Sequence, residues 1–307
     1  MSTIAKKLKD NAASIVVGSI LILCFAVFGI YAIQHFGTKY AEKKINAQLA
    51  QSGLVDLIHY ESVNFDPFTL TPSIDNVSVG IESAPWLRFA RITFNSFSLN
   101  YPDLDIDFWI KQSSASDLSR DTGRLMRAAG IETLIGKGSF TSAIDGEAIS
   151  SHFKLNVKDI GIISVSSEVN LLDHNIVMSE FRTDLLASLA LGQPEAIFII
   201  YGETLELRSL NINYTDTGLI TPQLPQSADA KNTLRSMLKS RSESLGLTTK
   251  NSLEANQITD SIIGFLQEPN QINLSLLPPS PINLKALALL FGDKNLYKGS
   301  NMRISHQ

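Results

Sequence analysis

Three aspartates at alternate positions, Asp103, Asp105 and Asp107, form the tightest group of carboxylates in the chain. On a strand alternate residues share a face, so the three would project together while Leu104, Ile106 and Phe108 point into a core. Such a face suits a bound cation, because clustered carboxylates repel one another without one. A calcium loop needs Gly at its sixth position and an acid at its twelfth, where Phe108 and Ser114 stand, so the loop form is excluded. The plainer reading is a solvated outer face that also keeps the sheet from aggregating. His59 beside Glu61 would make a base and its partner only if a strand turned both into one pocket; a solvent-facing pair is the expectation. The five histidines, His35, His59, His152, His174 and His306, show no ligand spacing. There is no Gly-rich phosphate loop, nucleophile elbow or His-Glu-x-x-His helix. The expectation is therefore a protein that is not an enzyme, with no catalytic residue, metal ligand, cofactor-binding residue or cofactor to assign.

Composition narrows the classes further. Lys and Arg number 26 against 30 Asp and Glu, a net charge of −4, which argues against a general nucleic-acid binder. One cysteine, Cys24, excludes a disulfide framework, a Cys-based zinc site and a Cys-x-x-Cys redox pair. With 44% hydrophobic residues over 307 positions, the chain has enough apolar side chain for a substantial core.

Those apolar residues are unevenly placed. Ala12 to Ile33 reads AASIVVGSILILCFAVFGIYAI without one charge. At about 1.5 Å per residue, such a run spans a hydrocarbon core of about 30 Å. It is too long for a signal peptide, whose apolar region is about 7–15 residues, and no small-residue cleavage site frames its end. The expected layout is a tail over 1–11, a membrane anchor over 12–33 and a juxtamembrane helix over 34–53. Lys6, Lys7 and Lys9 precede the span and Lys39, Lys43 and Lys44 follow it, so positive charge alone gives a tie. The remainder carries 23 basic and 29 acidic residues and no cysteine, which favours an amino terminus inside and a domain exported.

In the juxtamembrane segment Ala41, Ile45 and Leu49 recur every four residues and Gly53 supplies a stop. This stripe is expected to pack on the domain, with a lipid-surface helix as the other reading. From Leu54 the period becomes two. Ile74 and then Val77, Val79 and Ile81 give one strand interrupted by a bulge, Ile92 and Phe94 lead another, Leu99 and Tyr101 alternate, and Leu104 to Ile110 form a half-buried strand. Ser116 to Ile135 should hold a helix with Leu118, Leu125, Met126 and Ala129 on one face. Asp145-Gly146 is the strongest hairpin signal. A short helix over Thr183–Leu191, a doubly buried strand over Ala196–Tyr201, helices over Ser227–Leu245 and Leu253–Gln267, a strand over Gln271–Leu277 and a final helix over Asn283–Phe291 complete the expectation. The basic side chains Lys231, Arg235, Lys239 and Arg241 could touch anionic headgroups, but Asp229 and Glu243 flank them and an ordinary wet face is the better reading.

One internal echo stands out. Residues 155–164 (LNVKDIGIIS) match 212–221 (INYTDTGLIT) in type, each with Asp-x-Gly at the centre. The Asp should accept local backbone bonds and the Gly take positive φ, making both copies tight turns between strands of a duplicated β unit.

The run Val63-Asn64-Phe65-Asp66-Pro67-Phe68-Thr69-Leu70, followed by Ile74-Asp75-Asn76-Val77-Ser78-Val79, resembles the start of AsmA-like envelope proteins. The likeness covers about residues 10–110. It implies an inner-membrane-tethered periplasmic protein of a Gram-negative envelope, from a family whose larger members are thought to move phospholipid along groove-like sheets. It carries over no catalytic residue. Twelve to fifteen strands at about 4.8 Å would make a sheet of only about 60–70 Å, too short to bridge the periplasm.

The fold class expected is α+β: an N-terminal transmembrane helix, then a β-rich periplasmic domain over 54–307 of meandering antiparallel strands with several packed helices. Pro222 and Pro225 mark a break, so a subdivision would fall near 222–226. The expected function is non-enzymatic envelope maintenance, binding or helping to transfer lipid through an apolar groove. The alternative is a structural or adaptor subunit of an envelope complex. Membrane lipid, envelope proteins or both are the expected partners, and nucleic acid is not.

Overall fold

The computed structural model describes the backbone of residues 2–95, 103–172, 178–191, 193, 196–220, 228–249, 252–293 and 295–307. Side chains are described in the same segments except at 2–25, 178–179, 182, 186, 189–190, 198, 228, 230–231 and 291–292. Leu99, Tyr101, His174, Gly192, the break at 222–226 and the side chain of Lys231 lie outside the described residues.

The chain opens with one helix, α1 (Ser2–Gln51), which Gly53 ends at φ +65°. Its last turns dock through Ala41, Ile45 and Leu49 on the first strands, the stripe read from the four-residue recurrence. Three strands follow: β1 (Ile58–His59), β2 (Ser62–Asp66) and β3 (Thr71–Ile81). The next group is β4 (Ala84–Phe94), β5 (Leu104–Ser114), α2 (Arg120–Ala128), β6 (Thr133–Asp145), β7 (Ala148–Val157) and β8 (Gly161–Leu171). Two helices, α3 (Met178–Ala190) and α4 (Ala196–Tyr201), precede β9 (Leu205–Asp216). The chain ends with α5 (Ala228–Ser244), α6 (Leu253–Gln267), β10 (Gln271–Leu276), β11 (Ile282–Asn283), α7 (Leu284–Gly292), α8 (Leu296–Gly299) and β12 (Arg303–His306).

All twelve described strands join one sheet, every pair antiparallel, in the order β1-β3-β4-β5-β6-β7-β8-β9-β10-β12. β2 shares β1's edge of β3, and β11 pairs with β9. The α+β reading with meandering strands therefore holds. The sheet is narrower than the strand count suggests, because short collinear strands share edges: ten positions at about 4.8 Å give about 43 Å.

The motif residues shape the first hairpins. Asp66 Oδ1 accepts the N–H groups of Phe68 (2.8 Å) and Thr69 (3.3 Å), closing the four-residue turn between Asp66 and Thr71. Asn76 sits at φ +50°, where Asn is better tolerated than most residues, and this resets the alternation so that Ile74 and Val77, three apart, are both buried. Asp75 is left on the polar face, where it receives Arg91 at 2.6 and 3.2 Å and Asn64 at 2.6 Å. Asn76 links Glu61 and Lys111 at 2.5 and 2.9 Å. The Asp-Asn-Val signature is thus a fold device.

Several expectations are corrected. Ala196–Tyr201 is helical, not a buried strand: Ile197 and Tyr201, four apart, are buried, while Ile199 and Ile200 are exposed. A six-residue apolar run fits either period, and tertiary contact decided. Leu125 and Ala129 are exposed rather than on an inner face, and Leu245 is exposed just past the end of α5. Beyond the helix expected to be last come α8 and the edge strand β12.

The echo also behaves differently from expectation. In the first copy Asp159, not the glycine, takes positive φ (+59°), and Gly161 opens β8 beneath the Tyr214 ring. In the second, Gly218 has φ +145° and Asp216 accepts the N–H groups of Gly218 (3.0 Å) and Ile220 (3.1 Å), and the chain directly beyond it, 221–227, lies outside the described residues. The copies meet instead: Thr217 N–H donates to Ile160 O at 3.3 Å, across the β8–β9 pair.

Candidate functional site

Alternation gives the sheet two unlike faces. One carries Asp105, Asp107, Lys154, Asn211 and Asn213 among other polar side chains. The opposite face is apolar, and its core is split. One buried cluster joins Ala41, Ile45, Leu54, Val63, Ile74 and Val77 beneath the end of α1. The other joins Leu205, Leu207, Leu276, Leu287, Leu296 and Met302 beneath α4, α7 and α8. α3 reaches both, packing Phe181 and Leu185 on the second and Ala187 on the first.

Helix–strand packing concentrates at β2–β4 and at β9–β12. Between these ends the apolar face of β5–β8 is less covered. Ile106, Phe140, Phe153, Leu155, Ile163 and Val165 are all half-buried, although each points to the apolar side. Phe108 anchors this strip, edge-on to Phe89 (centroids 5.6 Å apart) and stacked with Phe153 (6.1 Å). Gly138 faces the Phe108 ring, which any side chain there would displace. The strip belongs to neither buried cluster.

The sequence-singled polar residues do not converge. Asp105 and Asp107 share one partner, the Asn95 amide, at 3.3 and 2.8 Å, whereas Asp103 lies before the strand and accepts the Ile144 N–H at 2.9 Å. An amide donor therefore occupies the position a cation would take between two of the carboxylates. No group of three or more His, Cys, Asp or Glu with metal-binding geometry occurs among the described residues. His59 and Glu61 do not form the solvent-facing pair expected: Glu61 is exposed and bonded to Asn76, while His59 is half-buried with Nε2 shielded and unpartnered. On the basic helix Arg235 pairs with Asp260 on α6, which ties it to the fold. A small polar hollow lined by Thr248, Glu254, Asn295 and Tyr297 has a volume of about 10 Å³, room for roughly one water.

Two tyrosines escaped the sequence reading. Burial, then a 2.6 Å hydrogen bond to the Asp184 carboxylate, pushes the Tyr201 phenol up to about 12. Tyr214 is raised further, first by burial and then by Asp216, and its hydroxyl lies 2.8 Å from both Asp216 Oδ1 and Ile160 O. Both phenols stay protonated donors, Tyr201 joining α4 to α3 and Tyr214 tying β9 to the β7–β8 turn. A Tyr followed two residues later by Asp was the available signal for the second; nothing local signals the first, whose partner is 17 residues away.

The last surface lies on α1. Phe28, Tyr31 and Phe36 are 70, 64 and 70% exposed, with Val27 and Ile33 also outward. Among the described residues no helix is long and apolar enough to cross a membrane. Most of the expected span, residues 12–25, has no described side chain.

Fold and site together define an α+β protein built on one amphipathic antiparallel sheet, with no convergent polar constellation among its described residues. A family model described as "Uncharacterized protein" matches residues 154–307, half of the chain, and the chain belongs to that family. No curated protein matches it.

Proposed function

We propose that this is a non-enzymatic protein anchored in the inner membrane by residues 12–33, whose periplasmic sheet takes up lipid on its apolar face. The observation carrying this reading is the set of half-buried apolar side chains Ile106, Phe140, Phe153, Leu155, Ile163 and Val165 lying between two buried clusters. Acyl chains need an extended apolar surface, and a sheet with one wet face supplies one without an enclosed pocket. The outward aromatic side chains of α1, on the same helix as the uncharged run, support the anchor. The resemblance of Val63–Leu70 and Ile74–Val79 to AsmA-like proteins supports the envelope setting.

The test is native mass spectrometry of the full chain extracted in mild detergent. Phospholipid should accompany the wild type and be lost from Val165→Lys, with unchanged circular dichroism. Lipid retained by that variant, or none on the wild type, refutes the reading.

A second reading, an adaptor subunit, draws on α4, where Ile199 is 82% and Ile200 59% exposed side by side. It predicts a stoichiometric protein partner without lipid in the same measurement, and that partner should be lost with Ile199→Asp.

A further inference from the structure

The turn between β2 and β3 is unlike the other described hairpin tips. β3–β4 turns at Glu82-Ser83, β6–β7 at Gly146-Glu147 and β7–β8 at Lys158-Asp159-Ile160, each with at least one charge. The first turn is Pro67-Phe68-Thr69-Leu70, uncharged, with Phe68 79% and Leu70 54% exposed. Leu70 takes φ +56°, a costly backbone for a side chain of this kind. The Asp66 carboxylate, held low chiefly by the Phe68 and Thr69 N–H groups, keeps the turn closed. The result is a preformed tip that presents two large apolar side chains to the outside.

Its position follows from two contacts with α1. Tyr60 hydroxyl donates to Asn46 Oδ1 at 2.6 Å, and five residues later the Phe65 ring packs on Gly37. β2 thus runs along the helix toward its amino-terminal end. The step from Tyr60 to Phe65, bent at Glu61 and otherwise in β2, advances at most about 17 Å and nine helical residues about 13.5 Å, so strand and helix axes are roughly aligned. The tip extends two to three residues beyond Phe65, about 7–10 Å, equal to about five to seven residues of helix. That sets Phe68 level with the turn around Tyr31, among the exposed Phe28, Tyr31, Ile33 and Phe36. Lys39 and Lys43, also exposed, lie two to three turns further toward the domain, about 12–18 Å along the helix, on the aqueous side of the headgroup layer.

We propose that the β2–β3 tip inserts Phe68 and Leu70 into the membrane interface beside α1, making a second, non-helical contact that fixes the sheet's angle to the bilayer. The occupant of this surface is lipid at the junction of headgroups and acyl chains. The inference rests on α1 spanning the bilayer. A single helix leaves a domain free to rotate about its axis and rock; a second contact some ångströms away removes that freedom. The apolar strip would then meet the membrane at a fixed orientation.

The test uses the full chain with Cys24→Ser, carrying a single new cysteine labelled with nitrobenzoxadiazole. It is reconstituted into phosphatidylethanolamine–phosphatidylglycerol vesicles with or without lipid bearing a nitroxide near the top of its acyl chain. Phe28→Cys reports the anchor, Phe68→Cys the tip, and His152→Cys the remote polar face; Leu70→Cys repeats the tip. The tip labels should lose most of their fluorescence to the nitroxide lipid and little to aqueous iodide, and the His152→Cys label should show the reverse. Quenching by the nitroxide at Phe28→Cys but not at either tip site overturns the hairpin contact and leaves the anchor intact. Absence of quenching at Phe28→Cys overturns the anchor and this inference with it. Equal quenching at His152→Cys shows contact without preference for the tip and also overturns it.

Discussion

Tyr201 joins α4 to α3: its ring meets Phe181 edge-on at 4.9 Å and its hydroxyl donates to Asp184. Removing only that hydroxyl, in Tyr201→Phe, should cost about 2 kcal/mol in urea unfolding, because the acceptor is a charged carboxylate. The phenol's folded value near 12 lies above its ordinary value of 10, so the native state keeps a proton the unfolded chain releases. Its contribution is complete below pH 10 and is lost as pH rises from 10 to 12. The wild-type urea midpoint should fall more steeply than that of Tyr201→Phe across this window. Asn95 offers a second residue-level test. Asn95→Ala removes the amide shared by Asp105 and Asp107 and should lower stability by about 1 kcal/mol, read from the same unfolding curves. The alternating aspartates were visible in the sequence as one face of a strand; the amide between two of them was not, because Asn95 comes from the neighbouring strand's end.

At the scale of elements, α1 and the sheet form one body where Ala41, fully buried, meets the first core. Ala41→Glu places an unpaired charge there and should cost about 3 kcal/mol or more. Limited proteolysis should then cut near Ser52–Asp56 faster than it does in the wild type. At the opposite edge β12 pairs with β10 and its Ile304 carbonyl accepts the Ser261 hydroxyl of α6 at 2.9 Å. Deleting residues 303–307 bares the β10 edge, and the protein should self-associate in analytical ultracentrifugation. The helix stripe at Ala41, Ile45 and Leu49 and the Asp145-Gly146 turn could be read locally, since each follows from a short-range period or a two-residue loop. α4 and β12 could not: six apolar residues suit either helix or strand, and the chain's last strand exists only because β10 offers it a partner.

For the whole molecule, the topology is nearly sequential, each strand lying beside its predecessor, so the sheet extends in one direction away from α1. An anchored chain with this layout puts its carboxyl terminus in the same compartment as the sheet. With the sheet in the periplasm, as proposed, alkaline phosphatase, which needs its disulfides, fused after Gln307 should be active in intact cells, and an inactive fusion would place the domain in the cytosol.

The amino-acid sequence by itself determined the α+β class, the antiparallel meander and the amphipathic character of the sheet, because side-chain alternation and turn chemistry act over a few residues. It also carried the uncharged run over 12–33, a property of composition alone. Only the tertiary structure decided that the apolar face is sealed at its two ends and half-open between them, since that depends on where α1, α3, α4 and α7 come to rest. It alone laid β2 along α1, with Tyr60 on Asn46 and Phe65 against Gly37, contacts between distant parts of the chain that no local pattern encodes.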